Sequence, residues 1–288
     1  MLFFLNILSK INENEKTKIM LNLIHVSKSF DVGGVGKLKV LKDINLSVKK
    51  GEFVCVLGPS GCGKTILLYL IAGFLKPTSG KILIEGKPAG NPNTERVMVF
   101  QDYVLFPWKT VYGNILFGLN KVNLNNRQKK ELAIKYLELV GLTEFKDWYV
   151  HKLSGGMQQR VAIARALAVN PKALLMDEPF SALDSSYKRH LRHSLEEIWK
   201  KTKKTIILVT HDINEAIHLA DKIYLMTASP ATFKKVYKIN LPRPRSSSHK
   251  YFIELNKKIK SDMNDEFKKS MKNQLTERSL DNLLKIKL

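Results

Sequence analysis

The fold of this chain is decided by the stretch Gly58-Pro59-Ser60-Gly61-Cys62-Gly63-Lys64-Thr65, which follows the apolar run Glu52–Leu57. Its spacing is G-x-x-x-x-G-K-[ST], and glycines at these places let successive backbone N–H groups point into one concavity. A helix predicted from Thr65 to Phe74 adds the partial positive charge of its first turn. The stretch therefore predicts a phosphate-binding loop between a strand and a helix.

Two side chains of this loop have predicted roles beyond the backbone. Lys64 is expected to reach the β- and γ-phosphates, and Thr65 is expected to hold Mg²⁺ through its hydroxyl group. Cys62 is predicted to be a small filler inside the loop, although its modification by a thiol reagent is expected to block nucleotide binding.

A pair of carboxylates at the end of a second apolar run supplies a further element. The run Ala173–Met176 is followed directly by Asp177 and Glu178. Asp177 is placed to hold Mg²⁺, in part through water, as the acidic partner of a phosphate loop does. Glu178 is then available to orient or deprotonate an attacking water molecule.

The order of predicted elements indicates the fold class. Short, almost continuously apolar runs such as Thr205–Thr210 are typical of strands buried on both faces. They alternate with helical stretches such as Gly156–Val169, and this alternation predicts an α/β domain with a mostly parallel sheet. Residues near 102–152, which include the helical pattern Arg127–Val140, interrupt the alternation and look like a helical insertion.

Composition limits the class of protein. The 288 residues are 44% hydrophobic and 26% charged, which excludes a wholly disordered chain. A chain of this length buries about three quarters of its unfolded surface. The apolar runs are too short to span a bilayer, and two cysteines cannot form a disulfide framework or a zinc site. We therefore expect a cytoplasmic protein.

The charge balance is strongly basic. The chain has 48 Lys and Arg against 26 Asp and Glu, a formal net charge of +22. Such a balance is compatible with nucleic acid, an anionic membrane surface or anionic ligands, and equally with a lysine-rich, solvated surface. Charge alone does not decide between them.

Both ends of the chain differ from its centre. Residues 1–19 lack the features of a secretory signal. They are either a short membrane-surface anchor or an over-long start before Met20, and the second interpretation is favoured. Residues 241–288 form a basic tail. Within it, apolar residues recur at three- or four-residue spacing and predict an amphipathic helix. These residues are Phe252, Leu255, Ile259, Met263 and Phe267.

A third motif connects these elements to a known family. The segment Leu153-Ser154-Gly155-Gly156-Met157, continued by Gln-Gln-Arg160, resembles the signature motif of the ATP-binding cassette (ABC) ATPases. Four further positions resemble family elements in the same order along residues 20–240. They are Phe30 as an aromatic against adenine, Gln101 as the glutamine loop, Ser181-Ala182-Leu183-Asp184 as the D-loop, and His211 as the switch histidine.

The resemblance implies a fold and an activity. It implies a RecA-like P-loop NTPase core with a mostly parallel sheet, an antiparallel β subdomain, and a helical signature subdomain at about 102–158. It implies hydrolysis of ATP with Mg²⁺, where Glu178, His211 and Gln101 are catalytic and Thr65, Gln101 and Asp177 serve the metal. The implied ATP-binding residues are Phe30, Gly58, Pro59, Ser60, Gly61, Cys62, Gly63, Lys64 and Thr65.

The signature implies a dimer. Ser154, Gly155 and Gly156 stand at the start of a predicted helix, which favours anions. In the family, these groups complete the ATP site of the opposite subunit, so that two chains pack head to tail around two ATP molecules. For Phe30 an alternative stays open, in which Phe30 is a core residue and the stretch Gly33–Gly36 carries a different contact.

The segment after the glutamine loop suggests a branch of the family. In the family this segment docks on a membrane permease, and here it contains Phe106 and Trp108; ordinary packing of the helical subdomain is the alternative. The Phe-Pro-Trp sequence and the segment Leu241–Arg245 resemble ATPases of nitrate, sulfonate, taurine and bicarbonate importers. The resemblance thus implies a peripheral subunit at the cytoplasmic face of the membrane, with a permease and an extracytoplasmic binding protein as partners.

A second function remains open at this point. A non-transport ABC ATPase acting on nucleic acid or ribosomes is compatible with the charge of +22. Such relatives usually carry two cassettes or a long coiled coil, whereas Gln101 and Ser154 here are only about fifty residues apart. The importer is therefore the favoured interpretation, with no nucleic acid expected as a partner.

Overall fold

The computed structural model describes residues 19–32, 36–181 and 185–272. The chain divides into two compact units, one formed by Met1–Gly90 with Val209–Leu288 and the other by Asn91–Leu208. The strands, in chain order, are β1 (Ile19–Val32), β2 (Gly36–Lys49), β3 (Phe53–Leu57), β4 (Ser79–Ile84), β5 (Lys87–Pro88), β6 (Arg96–Val99), β7 (Ala173–Asp177), β8 (Thr205–Thr210), β9 (Lys222–Met226) and β10 (Phe233–Lys238).

Seven α-helices accompany these strands in the described residues. They are α1 (Lys64–Ala72), α2 (Val111–Leu119), α3 (Asn126–Leu139), α4 (Gly155–Ala168), α5 (Ser185–Thr202), α6 (Ile213–Leu219) and α7 (Lys250–Lys272). Two short 3₁₀ helices, Thr143–Phe145 and Val150–Lys152, lie between α3 and α4. Within the part of the chain that is described, no helix combines the length and the apolar character that a bilayer span needs.

The first unit contains an antiparallel sheet with strand order β2-β1-β4-β5. Ile44, Leu46 and Val48 of β2 are buried, and they alternate with exposed Asn45 and Ser47. Because side chains of a strand point alternately to opposite faces, this pattern buries one face of the sheet and leaves the other to solvent.

The first unit also contains the strand that precedes the phosphate loop. All five residues of β3 are buried, and β3 pairs in parallel with β9, which pairs antiparallel with β10. Burial on both faces explains why the sequence of β3 is continuously apolar rather than alternating. Helix α1 follows β3 through the loop, and α6 packs beside the same strand.

The second unit combines a parallel strand pair with a group of helices. Strand β6 pairs in parallel with β7, and α2, α3 and α4 pack against one another. Gly118 of α2 allows a close approach, since a Cβ atom there would lie 2.8 Å from the carbonyl oxygen of Arg165 in α4. Strand β8 then returns the chain to the first unit.

The architecture confirms the predicted α/β class. The pairs β3–β9 and β6–β7 are parallel, and the antiparallel strands of order β2-β1-β4-β5 form a separate sheet. The predicted tail helix is confirmed as α7, and the exposed fractions of Phe252, Leu255, Ile259 and Met263 are 2, 6, 0 and 1%. The side chain of Phe267 lies outside the description.

Candidate active site

The phosphate loop of the first unit is built by glycines that no other residue could replace without strain. Gly61 and Gly63 have φ angles of 73° and 102°, in the left-handed region that favours glycine. A Cβ atom on Gly63 would lie 2.9 Å from Val40, and one on Gly58 would lie 2.9 Å from the Cys62 sulfur. The loop is therefore a tight cradle of backbone, as phosphate binding requires.

Lys64 closes this cradle. Its side chain is buried, and Nζ donates hydrogen bonds to the carbonyl oxygens of Gly58 (3.1 Å) and Pro59 (2.9 Å). Helix α1 begins at Lys64 with Gly63 as its N-cap, so the N–H groups of its first turn belong to the same loop. A cation and a helix N-terminus at one glycine cradle fit the phosphates of a nucleotide.

Cys55 precedes the loop and Cys62 lies within it, and both are buried. Burial raises the pKa of the Cys55 thiol well above its usual value, and nearby Glu215 raises it further. Cys62 is 1% exposed, consistent with its predicted role as a filler. Both side chains thus serve packing behind the loop.

His211 lies at the end of β8, in the same unit as the phosphate loop. The N–H group of Gly58 donates to the carbonyl oxygen of Thr210, the residue before His211, at 3.4 Å. The end of β8 therefore lies beside the start of the loop. His211 itself is exposed, so its imidazole is accessible to a ligand.

The turn that carries His211 is fixed by a polar cluster. Thr210 Oγ1 donates to Oε2 of buried Glu215 (2.6 Å) and accepts from the Asp212 N–H group (3.0 Å). Asp212 Oδ1 in turn caps helix α6 by accepting from the N–H groups of Asn214 (2.7 Å) and Glu215 (3.2 Å). His211 thus stands between a strand end and a capped helix start.

Phe30 is the remaining predicted residue of the first unit. Its exposed fraction is 8%, and the ammonium group of Lys28 lies 4.8 Å from the centre of the ring. Adenine stacking at Phe30 stays a prediction. Of the alternative contact Gly33–Gly36, only Gly36 lies within the described residues.

Asp177 and Glu178 follow each other at the end of β7 in the second unit. Asp177 is 6% exposed. Glu178 has a φ angle of 41°, an unusual left-handed conformation for a non-glycine residue. Its carbonyl oxygen accepts from the N–H group and the hydroxyl of Ser181, at 3.1 and 2.9 Å. This turn holds the backbone of Glu178 in a strained conformation, a common feature of functional residues.

The D-loop prediction is covered only in part. Ser181 is described and supports the turn at Glu178. Ala182, Leu183 and Asp184 lie outside the described residues.

The predicted signature forms the start of α4. Ser154 is the N-cap, and its hydroxyl accepts from the Met157 N–H group at 3.4 Å. Leu153 is buried, and its carbonyl oxygen accepts from the Gln158 side chain at 3.1 Å. Gly155 and Gly156 form the first turn, so the helix starts one residue earlier than the sequence predicts. A serine-capped helix start with two glycines leaves its N–H groups accessible to an anion.

Gln101 begins the segment that the sequence assigns to permease docking. It is exposed in the turn after β6. Further along, Trp108 is 69% exposed and its ring lies 5.5 Å from that of Phe106, which lies 4.4 Å from that of Phe117. Phe106 thus packs against α2, whereas Trp108 projects from the surface of the unit.

A buried asparagine, which the sequence prediction missed, fixes this segment. Asn114 of α2 is fully buried, and its Oδ1 accepts from the Phe106 N–H group at 2.9 Å. Its Nδ2 donates to the carbonyl oxygens of Phe106 (3.2 Å), Lys109 (3.4 Å) and Thr110 (3.0 Å). One signal was available, because Asn114 is the polar residue of an apolar helical run, Val111–Leu119.

A second missed residue links the signature helix to the same segment. Arg165 of α4 donates to the carbonyl oxygen of Tyr103 at 3.3 Å, and its guanidinium lies 5.5 Å from the Phe106 ring centre. Burial lowers the pKa of Arg165. The helix that begins at the signature therefore supports the segment from Tyr103 to Phe106.

The two units divide the predicted site between them. The phosphate loop, Phe30 and His211 belong to the first unit, and Gln101, Asp177, Glu178 and the signature belong to the second. In the first unit, a glycine cradle closed by a buried lysine fits the phosphates of ATP. In the second unit, the acidic strand end offers the carboxylate oxygens that a magnesium ion prefers. Fold and site thus define a nucleotide-binding ATPase of the P-loop class.

Comparison with known proteins identifies the family. A family model described as "ABC transporter" matches residues 41–181. An uncharacterised ABC transporter ATP-binding protein of Methanocaldococcus jannaschii is 45% identical over 263 residues, which are 91% of this chain and 98% of that protein. The chain belongs to the ABC transporter ATP-binding proteins. It is accordingly an ATPase, with ATP and Mg²⁺ as its nucleotide and cofactor.

Two further similarities concern function and assembly. A nitrate import ATP-binding protein of a Synechocystis species is 47% identical over 211 residues, 73% of this chain and 79% of that protein. A dimeric ATP-binding cassette, solved in a post-hydrolysis state with ADP and Pi, has a TM-score of 0.66 and 32% identity. It covers 77% of this chain and 100% of its own.

Proposed function

We propose that this chain is the ATP-hydrolysing subunit of an ABC importer that moves a small anion through separate permease subunits. The cargo belongs to the nitrate, sulfonate, taurine or bicarbonate class. Support comes from the 47% identity to a nitrate import ATP-binding protein and from the Phe-Pro-Trp sequence at 106–108. The relatives described above are transporter subunits, which favours transport over action on nucleic acid.

The exposed Trp108 carries the proposal that a permease binds here. A tryptophan that is 69% exposed on a segment held by four hydrogen bonds to Asn114 is prepared for contact with a partner. Large aromatic side chains in a fixed conformation are typical anchors of protein interfaces. Trp108 and Phe106 would together line a groove for a helix of the permease.

ATP binding is assigned to the first unit's loop. Backbone N–H groups from Gly58 to Thr65 surround the phosphates, and Lys64 exchanges its carbonyl partners, Gly58 and Pro59, for phosphate oxygens. The exchange replaces neutral carbonyl acceptors by charged phosphate oxygens, so that the ammonium group then pairs with an anion. Phe30 is the proposed contact of the adenine ring.

Hydrolysis is assigned to one residue of the first turn of α1 and to residues at the ends of β6, β7 and β8. Thr65, Asp177 and Gln101 are the residues that would hold a magnesium ion, which would neutralise charge on the β- and γ-phosphates. Glu178 orients the attacking water and accepts its proton. His211 donates to the γ-phosphate and is held in place by the turn between Thr210 and Asp212.

Dimer formation completes the proposed site. The N–H groups at the capped start of α4, from Ser154 to Met157, bind the γ-phosphate of ATP held by the opposite subunit. The solved relative is a dimer with ADP and Pi, which supports such a pairing.

The remaining partners follow from this role. A permease in the membrane places the ATPase subunit peripherally on its cytoplasmic face, and an extracytoplasmic binding protein delivers the anion. Cargo choice then rests with the permease and binding protein rather than with residues of this chain.

The experiment is a mild-detergent pull-down of the tagged full chain from its native membranes, beside two variants. The wild type is expected to bring down a polytopic permease, and Trp108→Ala is expected to recover much less of it. Tyr251→Ala, which removes an aromatic side chain that is 39% exposed on the first unit, is the matched control and should behave as wild type. Recovery of ribosomes or nucleic acid without a permease would contradict the transport function.

The recovered complex then identifies the cargo class. Reconstituted in vesicles, it is assayed for ATP-dependent uptake of nitrate, bicarbonate, taurine and an alkyl sulfonate. Uptake of one of them supports the anion assignment. A complex that couples ATP hydrolysis to none of the four contradicts it.

A further inference from the structure

The C-terminal end of helix α6 is capped by two arginines from Leu241–Arg245. The last carbonyl groups of a helix have no partner within the helix, and a cation near them is favourable. Arg245 Nη1 donates to three of these oxygens and Arg243 Nη2 to the fourth. The four acceptors are the carbonyl oxygens of Ile217 (2.7 Å), His218 (3.2 Å), Leu219 and Ala220 (2.7 Å).

Both arginines are themselves held in position. Arg245 is 7% exposed, and its Nε donates to the Leu241 carbonyl oxygen at 3.1 Å. Arg243 Nη1 donates to Asp221 Oδ1 at 2.7 Å, while Oδ2 of the same carboxylate accepts from the Phe53 N–H group at 2.9 Å. Phe53 is the first residue of β3, so the arginine pair connects the end of α6 to the strand that leads into the phosphate loop.

Helix α7 continues this support along α6. The Phe252 ring lies 4.8 Å from the His218 ring, and Asn256 Nδ2 donates to Asn214 Oδ1 at 2.9 Å. Asn214 is in the first turn of α6 and His218 in its last turn. The segment Leu241–Lys272 therefore contacts α6 at both ends.

Helix α6 depends on such contacts. It has seven residues, and a helix this short is not stable by itself in water. Its first residue follows Asp212, which caps it, and Glu215 within it holds Thr210. A displacement of α6 therefore changes the turn that carries His211.

We propose that Leu241–Lys272 positions His211 for ATP hydrolysis, and that Arg243 and Arg245 are positioning residues of the ATPase site. This inference rests on the proposed role of His211. The C-terminal segment acts through α6 on the hydrolytic step, whereas nucleotide affinity depends on the loop Gly58–Thr65, which has hydrogen bonds of its own.

The test uses the full chain and measures kcat for ATP hydrolysis beside the dissociation constant for ATP. Arg245→Met keeps most of the side-chain volume and removes every donor. We expect kcat to fall by about tenfold, since misplacing a catalytic group by about 1 Å can cost about 100-fold, with ATP affinity changed by less than about twofold. Arg245→Lys, which keeps a cation near the carbonyls, should recover part of kcat.

A matched control separates position from charge. Lys258→Gln removes one positive charge from an exposed position of α7 and should leave both quantities unchanged. A parallel loss of kcat and ATP affinity in Arg245→Met would overturn the inference, because it would indicate general damage to the site.

The variant His211→Ala separates this inference from the proposed function. If Arg245 acts through His211, the double variant Arg245→Met/His211→Ala should have a kcat less than about twofold below that of His211→Ala alone. If instead the two single losses multiply in the double variant, the inference would be overturned. Wild-type turnover in His211→Ala would overturn the role of His211 and the inference with it. Loss of turnover in His211→Ala, with wild-type kcat in Arg245→Met, would overturn the inference alone.

A milder variant guards against loss of folding in Arg245→Met. Asn256→Ala removes one hydrogen bond at the surface of α6 and leaves both arginines in place. We expect a fall in kcat of about twofold and faster hydrogen exchange at Ala216 and Ala220, whose amides bond within the helix. Unchanged exchange and unchanged kcat would overturn the inference.

Discussion

Replacing Asn114 by alanine should loosen the docking segment by an amount that the structure allows us to estimate. Two of its four hydrogen bonds are short, from the Phe106 N–H group (2.9 Å) and to the Thr110 carbonyl oxygen (3.0 Å). Each contributes about 0.5–1.5 kcal/mol net, so their loss costs about 1–3 kcal/mol. Asn114 is fully buried, and the orphaned Phe106 N–H group keeps the loss near the upper end of this range.

The assay is hydrogen exchange at the Phe106 amide, together with urea unfolding of the purified chain. A local cost of about 1–3 kcal/mol corresponds to exchange about 5- to 150-fold faster, because 1.4 kcal/mol is a factor of ten. Asn123→Ala, at an exposed asparagine just after α2, is the control and should change neither measurement. Exchange at Phe106 within about twofold of wild type would refute the assignment of Asn114 as the residue that fixes this segment.

Three further predictions concern the catalytic groups and the tail. Glu178→Gln should bind ATP, lose turnover and accumulate a dimer on gel filtration; wild-type hydrolysis would contradict its assigned role. Lys64→Ala should weaken ATP binding about 10- to 100-fold, the value of a charged hydrogen bond of about 1.5–3 kcal/mol, measured by calorimetry. Hydrogen bonds from Lys235 and Tyr237 lower the pKa of Asp262, so its ionised form stabilises the fold above the unfolded pKa. The extra unfolding free energy of wild type over Asp262→Asn should therefore begin to decrease as the pH falls below about 4, and it should be lost as the pH falls through the lowered folded-state pKa. A difference that stays constant as the pH falls below about 4 would contradict this interpretation.

The phosphate loop and its surroundings were predictable because backbone geometry dictates their sequence. Gly58 and Gly63 are required because a Cβ atom at either position would make a contact of 2.9 Å. The spacing of glycines in the sequence motif therefore reflects the geometry of the loop. Strand β3 is buried on both faces, so its sequence is continuously apolar and the strand could be predicted from that run. The helix at Ser154 was found in the same way, since a serine before two glycines is a local capping signal.

Most supports of the site were not predictable, because no local sequence signal identifies the partners of the side chains that form them. Glu215 lies on an ordinary helical pattern, and only the fold shows that its carboxylate accepts from Thr210. Arg165 belongs to the signature helix, but its partner Tyr103 is 62 residues away. A side chain that bonds to a backbone carbonyl carries no sequence signature at the acceptor, since every residue has that group.

The contacts of the C-terminal segment Leu241–Lys272 were also not predictable from the sequence, and they bear on the proposed control of hydrolysis. The sequence predicted a basic tail with an amphipathic helix, and charge counts cannot separate Lys258, which is exposed, from Arg245, which is 7% exposed. The two residues differ in geometry. A guanidinium has five N–H donors. Two nitrogens of Arg245 donate to four carbonyl oxygens, and three of these oxygens lie at the end of one helix. A buried arginine with such partners is costly to replace, because its loss leaves several acceptors without donors. The helix that it caps begins two residues after His211, so residues near the end of the chain are expected to influence hydrolysis.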